Sequence, residues 1–281
     1  MKFLSFYPDI NMRDSKLQKV IFTDLDGTLL DASTYSYAPA IPALELLRQQ
    51  KIPVVFCSAK TKAEQEVYRS EMGIFDPFII ESGGAIFIPQ YYFPLDTEHY
   101  KVINGYSVIE LSIPYQQTRA TLQQIKANLE VDFKGFGDMS VEEVAADTGL
   151  DLEAAYHAKQ RCYDETIKLE DTPENIKKII FAIEETGLKC VQGGNYYRVG
   201  SSDKGKAITL LIKLFKRKLG RILTIGLGDS LNDLPLLKIV DIPMLVEKPG
   251  PCWEEMKIPR LRRIEGVGPV GWNRAIHQLV A

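Results

Sequence analysis

The two ends of the chain alternate short apolar runs with segments in which apolar residues recur every three or four positions. The runs lack polar alternation, as expected for strands buried on both faces, and they cover residues 20–23, 53–57, 78–80, 221–226 and 242–246. The segments between them predict helices over residues 41–50, 61–72, 204–218 and 232–239. This alternation predicts an α/β fold with a doubly wound parallel sheet.

The middle of the chain follows a different pattern, in which strands and helices no longer alternate one by one. Strands are predicted over residues 106–113, 163–169, 188–192 and 196–199, and helices over 115–129, 141–148, 152–161 and 173–186. Paired strands followed by helices are typical of an α+β unit with an antiparallel sheet. We therefore expect a Rossmann-like core, residues 1–88 and 199–281, interrupted by an inserted α+β cap domain, residues 89–198.

Composition and charge narrow the kinds of partner. The 281 residues include 34 Lys and Arg against 37 Asp and Glu, and this net charge of −3 gives no indication of a nucleic-acid partner. No run of 18 apolar residues occurs, and the apolar patch at residues 3–7 is too short for a signal peptide or a membrane span. The four cysteines form no C-x-x-C pair, so we expect free thiols and a cytoplasmic location.

Two aspartates follow the first predicted strand, in the sequence Asp-Leu-Asp-Gly-Thr. Asp24 and Asp26 would lie at the carboxyl edge of the sheet, where open parallel sheets bind their ligands. Neighbouring carboxylates repel each other, and Mg²⁺, which prefers oxygen ligands, would relieve that repulsion. Gly27 would let backbone N–H groups approach a phosphate. Alternatively, Asp24 caps a loop and Asp26 is a turn residue.

Other chemically useful residues stand at further strand ends and helix starts. Ser58 follows the second predicted strand, Lys204 opens a helix, and Asp229 follows a later strand. Taken singly, Ser58 is an N-cap and Lys204 a surface lysine. Taken with Asp24, they supply a hydroxyl and an ammonium group for a phosphate and a further carboxylate for a metal, which favours a phosphoryl-transfer site. Lys60 either adds positive charge there or lies on the surface.

Four sequence motifs carry a resemblance to the haloacid dehalogenase superfamily of phosphotransferases. They read F-T-D-L-D-G-T-L, V-V-F-C-S-A-K-T, D-K-G-K-A and G-L-G-D-S-L-N-D, and the resemblance covers nearly all of the chain after residue 17. The long gap between the second and third motifs is similar to the α/β cap of the type IIB branch. The resemblance therefore implies a Rossmann-like core with an inserted cap that selects the substrate.

The same resemblance implies a mechanism. Asp24 would be the nucleophile that becomes an aspartyl phosphate, and Asp26 would be the general acid and then the general base. Mg²⁺ would be bound by Asp24, by the backbone carbonyl of Asp26 and by Asp229, with Asn232 and Asp233 in support. Such chemistry needs strong electrostatic help, because uncatalysed phosphate monoester hydrolysis is among the slowest known reactions.

Several further stretches resemble mannosyl-3-phosphoglycerate phosphatases. They are residues 136–140, 148–150, 158–165, 192–199 and 266–276. This implies a phosphorylated glycerate bearing a hexose as the small-molecule substrate. Two departures from the usual pattern, Ser82 in place of asparagine and Asn195 in place of arginine, bear on the substrate preferred.

The resemblance also suggests which cap residues contact the substrate. Arg161 is the candidate for the carboxylate through bidentate contact, and Glu165 and Gln192 are candidates for the sugar hydroxyls. Gly193 and Gly194 would let the backbone approach the sugar. Alternatively, Arg161 is a charge at a helix C-terminus and the paired glycines form only a hairpin turn.

Four functions remain open at the level of sequence. The first is a Mg²⁺-dependent phosphatase of mannosyl-3-phosphoglycerate. The second is a phosphatase of glucosyl-3-phosphoglycerate or of another sugar phosphate. The third is a phosphomannomutase-type phosphomutase, which would use the same two aspartates. The fourth is a binding module without activity, which the intact acidic, serine and lysine positions argue against.

Overall fold

The computed structural model describes residues 17–94, 100–250 and 252–280, so the apolar patch at residues 3–7 lies outside the described residues. The strands are β1 Gln18–Thr23, β2 Val54–Phe56, β3 Phe78–Ile80, β4 Ala85–Pro89, β5 Lys101–Ile103, β6 Tyr106–Glu110, β7 Lys134–Gly135, β8 Glu165–Lys168, β9 Lys189–Gly193, β10 Tyr196–Gly200, β11 Ile222–Gly228, β12 Ile242–Glu247 and β13 Arg262–Val267. The helices are α1 Ile41–Gln49, α2 Lys62–Met72, α3 Tyr115–Leu129, α4 Val141–Thr148, α5 Leu152–Lys159, α6 Pro173–Glu185, α7 Lys204–Leu219, α8 Leu234–Leu237 and α9 Pro269–Val280. None of these helices is long and apolar enough to cross a membrane.

A parallel sheet with the strand order β13-β12-β11-β1-β2 forms the core and confirms the predicted fold class. Alternate residues of β1 face opposite layers: Ile21 packs with the layer of α1 and α9, and Phe22 with that of α7. Burial on both faces explains why these strands read as continuous apolar runs. In the register of the sheet, Thr23 lies beside both Phe56 and Leu227, so the carboxyl ends of β1, β2 and β11 meet at one edge.

A second sheet, in the order β3-β4-β6-β5, adjoins the core and differs from the sequence prediction. The sequence placed residues 78–80 in the parallel sheet, but β3 pairs antiparallel with β4 and reaches β2 through a single bridge between Cys57 and Ile79. The reason is a tight reversal after β3, in which Glu81, Ser82 and Gly83 all have positive φ. The chain therefore turns straight back.

The third sheet, in the order β7-β8-β10-β9, is antiparallel and belongs to the predicted cap. Helices α3 and α6 cover it through Leu122 and Ile179. The chain passes between core and cap at two adjacent places, where the hydroxyls of Ser112 and Ser201 lie 2.7 Å apart. Because β6 pairs with β4 rather than with the cap sheet, we propose that the boundaries lie near these two serines instead of near residues 89 and 198.

Candidate active site

Three carboxylates converge at the carboxyl edge of the parallel sheet. Asp24 directly follows β1, Asp229 directly follows β11, and Asp233 lies in a 3₁₀ turn before α8. One oxygen from each lies within 4.8 Å of the others. The structure thus brings together Asp24 and Asp229, which the sequence placed at the metal, and puts Asp233 beside them.

The cluster carries more negative charge than its surroundings neutralise. Burial, followed by the charge of Asp233, raises the pKa of Asp24 well above its ordinary value. Burial and Asp233 likewise raise the pKa of Asp229 to about 7, although Lys248 and the Thr28 hydroxyl oppose the shift. Buried oxygen donors that repel each other fit a hard divalent cation such as Mg²⁺. The geometry of the described residues is therefore compatible with the predicted metal.

The bonds of Asp233 separate its role from those of the other two. Its Oδ1 accepts from Lys204 Nζ at 2.7 Å, and its Oδ2 accepts the backbone N–H groups of Asp229 and Ser230 at 3.0 and 3.3 Å. Both oxygens of Asp233 thus have protein donors. This supports the expectation that Asp233 orients the groups around the metal rather than binding the metal directly. Asp24 and Asp229 keep more of their lone pairs for a cation.

Lys204 is buried and faces the cluster, so it is not the surface lysine of the alternative interpretation. Its Nζ lies 3.1 Å from Asp24 Oδ1 as well as 2.7 Å from Asp233 Oδ1. It is the first residue of α7, whose start is capped by the side chain of Asp203. Although burial alone would lower the pKa of Lys204, the two carboxylates raise it, so the ammonium group stays charged.

Ser58 and Asp26 lie on two loops that follow neighbouring strands, β2 and β1, at the same edge of the sheet. Ser58 follows β2 and is buried, and its hydroxyl accepts the backbone N–H of Lys60 at 3.2 Å. The side chain of Asp26 is 43% exposed, and its Oδ1 lies 3.1 Å from Lys60 Nζ. Asp26 is thus the open member of the acidic pair, accessible to an incoming molecule.

Lys60 is buried beside Asp26 rather than on the surface, a point that the sequence left open. Its side chain is 9% exposed, and its Nζ also contacts Glu64 at 3.4 Å and lies 4.8 Å from the centre of the Tyr35 ring. Burial alone would lower the pKa of Lys60, but Asp26 and Glu64 raise it above the ordinary value.

Gly27 allows the two acidic loops to approach each other. Its φ is +74°, and a Cβ at this position would lie 2.8 Å from Asp229 Oδ2. A side chain would therefore be strained and would also collide with a carboxylate. This is a stronger requirement for glycine than the phosphate approach expected from the sequence.

Two of the predicted substrate residues, Arg161 and Glu165, are buried and bonded to protein groups. Arg161 Nε donates to Asp164 Oδ1 at 2.7 Å, and its Nη2 donates to the carbonyl of Ala59 at 3.1 Å. Glu165 accepts from Tyr115 Oη at 2.8 Å, among other donors. Both residues stabilise the cap and its contact with the core in this structure, and their contact with a substrate stays a prediction.

The other predicted substrate residues lie on an exposed hairpin. Gln192 and Gly193 end β9, and Gly194 occupies the turn with φ +59°, as the hairpin alternative requires. Gln192 Nε2 donates to the carbonyl of Gly194 at 3.4 Å. A Cβ at either glycine would meet no described atom within 4 Å, so space remains for a ligand there.

The sequence did not reveal that Glu81 joins the core to the cap. This fully buried carboxylate accepts the backbone N–H groups of Cys162, Tyr163 and Asp164 at 2.8 to 2.9 Å. Burial, followed by the charge of Asp164, raises the pKa of Glu81 to about 7. A second contact nearby, from the hydroxyl of Thr61 to a carbonyl of α5, has a length of 2.9 Å.

Comparison with known proteins agrees with this geometry. The family model for haloacid dehalogenase-like hydrolases matches residues 21–248. A glucosyl-3-phosphoglycerate/mannosyl-3-phosphoglycerate phosphatase of Methanococcoides burtonii is 45% identical over 266 residues, which cover 94% of this chain and 98% of that protein. A mannosyl-3-phosphoglycerate phosphatase of Pyrococcus horikoshii is 39% identical, covering 81% and 90%. A solved Thermoplasma acidophilum structure shares the fold, with a TM-score of 0.67 at 14% identity, covering 94% and 98%.

Proposed function

Because the chain belongs to the haloacid dehalogenase-like hydrolases and is a phosphoric monoester hydrolase, we propose that it is a Mg²⁺-dependent phosphatase that converts mannosyl-3-phosphoglycerate into mannosylglycerate and phosphate. The observation that carries the proposal is the cluster of Asp24, Lys204, Asp229 and Asp233 at the end of the parallel sheet, in which all but the half-buried Asp229 are buried. Its charges suit a phosphoryl group and a cation together.

In the proposed reaction, a carboxylate oxygen of Asp24 attacks phosphorus, and the bond from phosphorus to the ester oxygen breaks. Lys204, which contacts Asp24, would hold one phosphoryl oxygen, and the Ser58 hydroxyl would donate to another. When bound, Mg²⁺ would be held by Asp24 and Asp229 and would offset the negative charge between enzyme and phosphate. The products of this half-reaction are an aspartyl phosphate and the free alcohol.

Asp26 would act as the general acid in the first half-reaction and as the general base in the second. Its carboxyl group donates a proton to the departing ester oxygen and then takes one from the water that attacks the aspartyl phosphate. That attack releases inorganic phosphate and restores Asp24. The exposure of Asp26 and its ion pair with Lys60 suit this task, because the group can reach a bound ester while its orientation stays fixed.

The substrate is proposed from the relatives and the cap. The P. horikoshii relative is named for the mannosyl ester, and the M. burtonii relative is named for both the glucosyl and the mannosyl esters. Glucosyl-3-phosphoglycerate is therefore the second candidate substrate. Cap residues proposed to contact the glycerate and the sugar are Arg161, Glu165, Gln192, Gly193 and Gly194.

A panel of phosphate esters tests the proposal. Release of inorganic phosphate is measured with and without Mg²⁺ for mannosyl-3-phosphoglycerate, its glucosyl counterpart, mannose 6-phosphate, glucose 6-phosphate and p-nitrophenyl phosphate. We expect the highest kcat/KM for the mannosyl ester, no activity in EDTA, and no turnover by Asp24→Asn. The substrate assignment fails if hexose phosphates are hydrolysed equally well. Transfer of the phosphoryl group to another sugar position, without phosphate release, would indicate a mutase.

A further inference from the structure

Arg198 is a nearly buried arginine whose terminal nitrogens are uncommitted. It lies on β10 with its side chain 18% exposed, and its Nε is 3.3 Å from Asp164 Oδ2. Within residues 17–94, 100–250 and 252–280, neither terminal nitrogen of Arg198 has a hydrogen bond. These nitrogens keep some exposure to solvent, so they are free to donate to an acceptor that arrives from outside.

Arg198 is held beside the proposed catalytic site by a chain of contacts. The backbone N–H of Asp164 is bound by Glu81, and its Oδ1 is bound by Arg161. Arg161 in turn donates to the carbonyl of Ala59, the residue after Ser58. One buried carboxylate thus anchors two arginines, and it leaves its second oxygen to orient Arg198.

The charge of Asp24 also acts on the guanidinium of Arg198. Burial lowers the pKa of Arg198, and the charges of Asp164 and then Asp24 act against that shift. Asp24 lies at the core edge and Arg198 on β10 of the cap, and the two are close enough for their charges to interact. An anionic substrate bound at Asp24 would therefore meet this cation on the cap side.

Arg161 and Arg198 differ in what they can still bind. Arg161 already donates to the Asp164 carboxylate and to three backbone carbonyls, those of Ala59, Ala158 and Asp164, so a substrate carboxylate would have to replace these bonds. Arg198 needs no such exchange. Its terminal nitrogens can form the paired hydrogen bonds that match a carboxylate.

We propose that Arg198 binds the carboxylate of the phosphoglycerate part of the substrate, and that Asp164 orients it for this purpose. The inference rests on the proposed function, since it requires a phosphate ester that carries a carboxylate. Arg198 then makes the carboxylate contact proposed above for Arg161, and Arg161 joins the cap to the loop that follows β2. The carboxylate would be recognised from the cap while the phosphate is held by the core.

Competition against p-nitrophenyl phosphate turnover tests the inference without the sugar ester. The competitors are 3-phosphoglycerate and glycerol 3-phosphate. The first carries a carboxylate where the second has a hydroxymethyl group. We expect the wild type to bind 3-phosphoglycerate more tightly. Arg198→Gln should reduce this preference by roughly 10- to 100-fold. The inhibition constant for glycerol 3-phosphate should stay within about threefold of the wild-type value. Arg198→Lys, which keeps the charge but not the paired bonds, should fall between.

Lys168→Gln is the matched control. Lys168 is a cap cation on the neighbouring strand β8, paired with Asp147 and Glu170, and its removal should leave the preference unchanged. Equal weakening of both competitors by Arg198→Gln would show that Arg198 acts on the phosphoryl group, and an unchanged preference would place carboxylate binding elsewhere. Either result overturns the inference, as does a wild type with no preference.

Misfolding of Arg198→Gln and failure of the proposed function can each be told apart from failure of the inference about Arg198. If Arg198→Gln fails to fold because Asp164 loses its partner, Arg198→Lys decides the matter, and an unchanged preference in that variant overturns the inference. Failure of the proposed function is distinguishable, because it is measured by the ester panel. The competition ratio is measured with p-nitrophenyl phosphate and does not depend on which sugar ester is preferred.

Discussion

Replacing Asp229 by asparagine should stabilise the metal-free protein. Asp229 is half-buried, and burial together with the charge of Asp233 raises its pKa to about 7. Asparagine has nearly the same shape, and its Oδ1 can still accept the hydrogen bond from the Thr28 hydroxyl. The substitution therefore removes a costly charge and keeps the local contacts.

The size of the effect follows from the raised pKa of Asp229. In the unfolded chain this group loses its proton near pH 3.8, whereas the folded protein keeps it until about pH 7. The folded state binds more protons in this interval, so its stability is greatest at low pH and falls as the pH rises. The loss caused by Asp229 is about 2 kcal/mol at pH 5 and about 4 kcal/mol at pH 8. Asp229→Asn should recover these amounts.

Thermal unfolding in EDTA measures the recovery. At 2–4 °C per kcal/mol, Asp229→Asn should raise Tm by on the order of 10 °C at pH 8 and by about half of that at pH 5. Asp132→Asn is the control, because the side chain of Asp132 is 91% exposed and its charge costs little. In saturating Mg²⁺ the order should reverse, since the wild type gains stability from the bound cation and the variant has lost a proposed ligand.

The reasoning is refuted if Asp229→Asn gains no stability in EDTA, or gains the same amount at both pH values. Either result would mean that Asp229 is ionised in the folded protein without cost. The acidic cluster would then have no electrostatic need for a cation.

Three further predictions concern neighbouring groups. Lys60→Met removes the ion-pair partner of Asp26, so kcat/KM for alkyl phosphates should fall by roughly 10- to 100-fold. The loss should be much smaller for p-nitrophenyl phosphate, because its leaving group needs no proton. Equal losses for both substrates would contradict this prediction. Glu81→Gln leaves at least one buried N–H without an acceptor and should lower Tm by about 2–6 °C; an unchanged Tm argues against the anchor. Since Asp24 and Asp229 must lose protons to bind a cation, calorimetry should show weaker Mg²⁺ binding at pH 6 than at pH 8, and equal affinities would count against raised pKa values.

The parallel core could be predicted because its strands are buried on both faces. Continuous apolar runs marked β1, β2 and β11, and the carboxyl ends of parallel strands meet at one edge, which placed Asp24, Ser58 and Asp229 together on sequence grounds alone. The structure brings Asp24 and Asp229 together, and Ser58 follows β2 at the same edge of the sheet. This arrangement depends on local pattern and simple topology, both of which are readable in one sequence.

Two of the strands that sequence reasoning missed, β5 and β13, lack those signals. β13 carries two adjacent arginines and a glycine on the sheet edge, and β5 is exposed along its whole length. The pairing of β3 with β4 depends on positive φ at Glu81 and Ser82. Residue type alone does not predict positive φ at a glutamate or a serine. Such features come from tertiary packing rather than from hydrophobic periodicity.

Contacts between core and cap were also beyond the sequence. The bonds from Glu81 to residues 162–164 join positions about 80 apart, and no spacing rule predicts such a pair. The expected helix over residues 152–161 ends at Lys159, so Arg161 lies in the following loop and contacts the carbonyl of Ala59. Motif resemblance suggested a substrate role for Arg161 but gave no information on the groups around it.

The central claim is that Asp24 accepts the phosphoryl group, and trapping the phosphoenzyme tests it most directly. Asp26→Asn should still be phosphorylated by ³²P-labelled p-nitrophenyl phosphate, because this ester departs without a proton, but should be dephosphorylated slowly for lack of a general base. After rapid quenching and proteolysis, we predict hydroxylamine-sensitive label on the peptide that contains Asp24, and none in the Asp24→Asn protein. Label on another peptide, or nitrophenol release by Asp26→Asn with no labelled enzyme, would contradict the account.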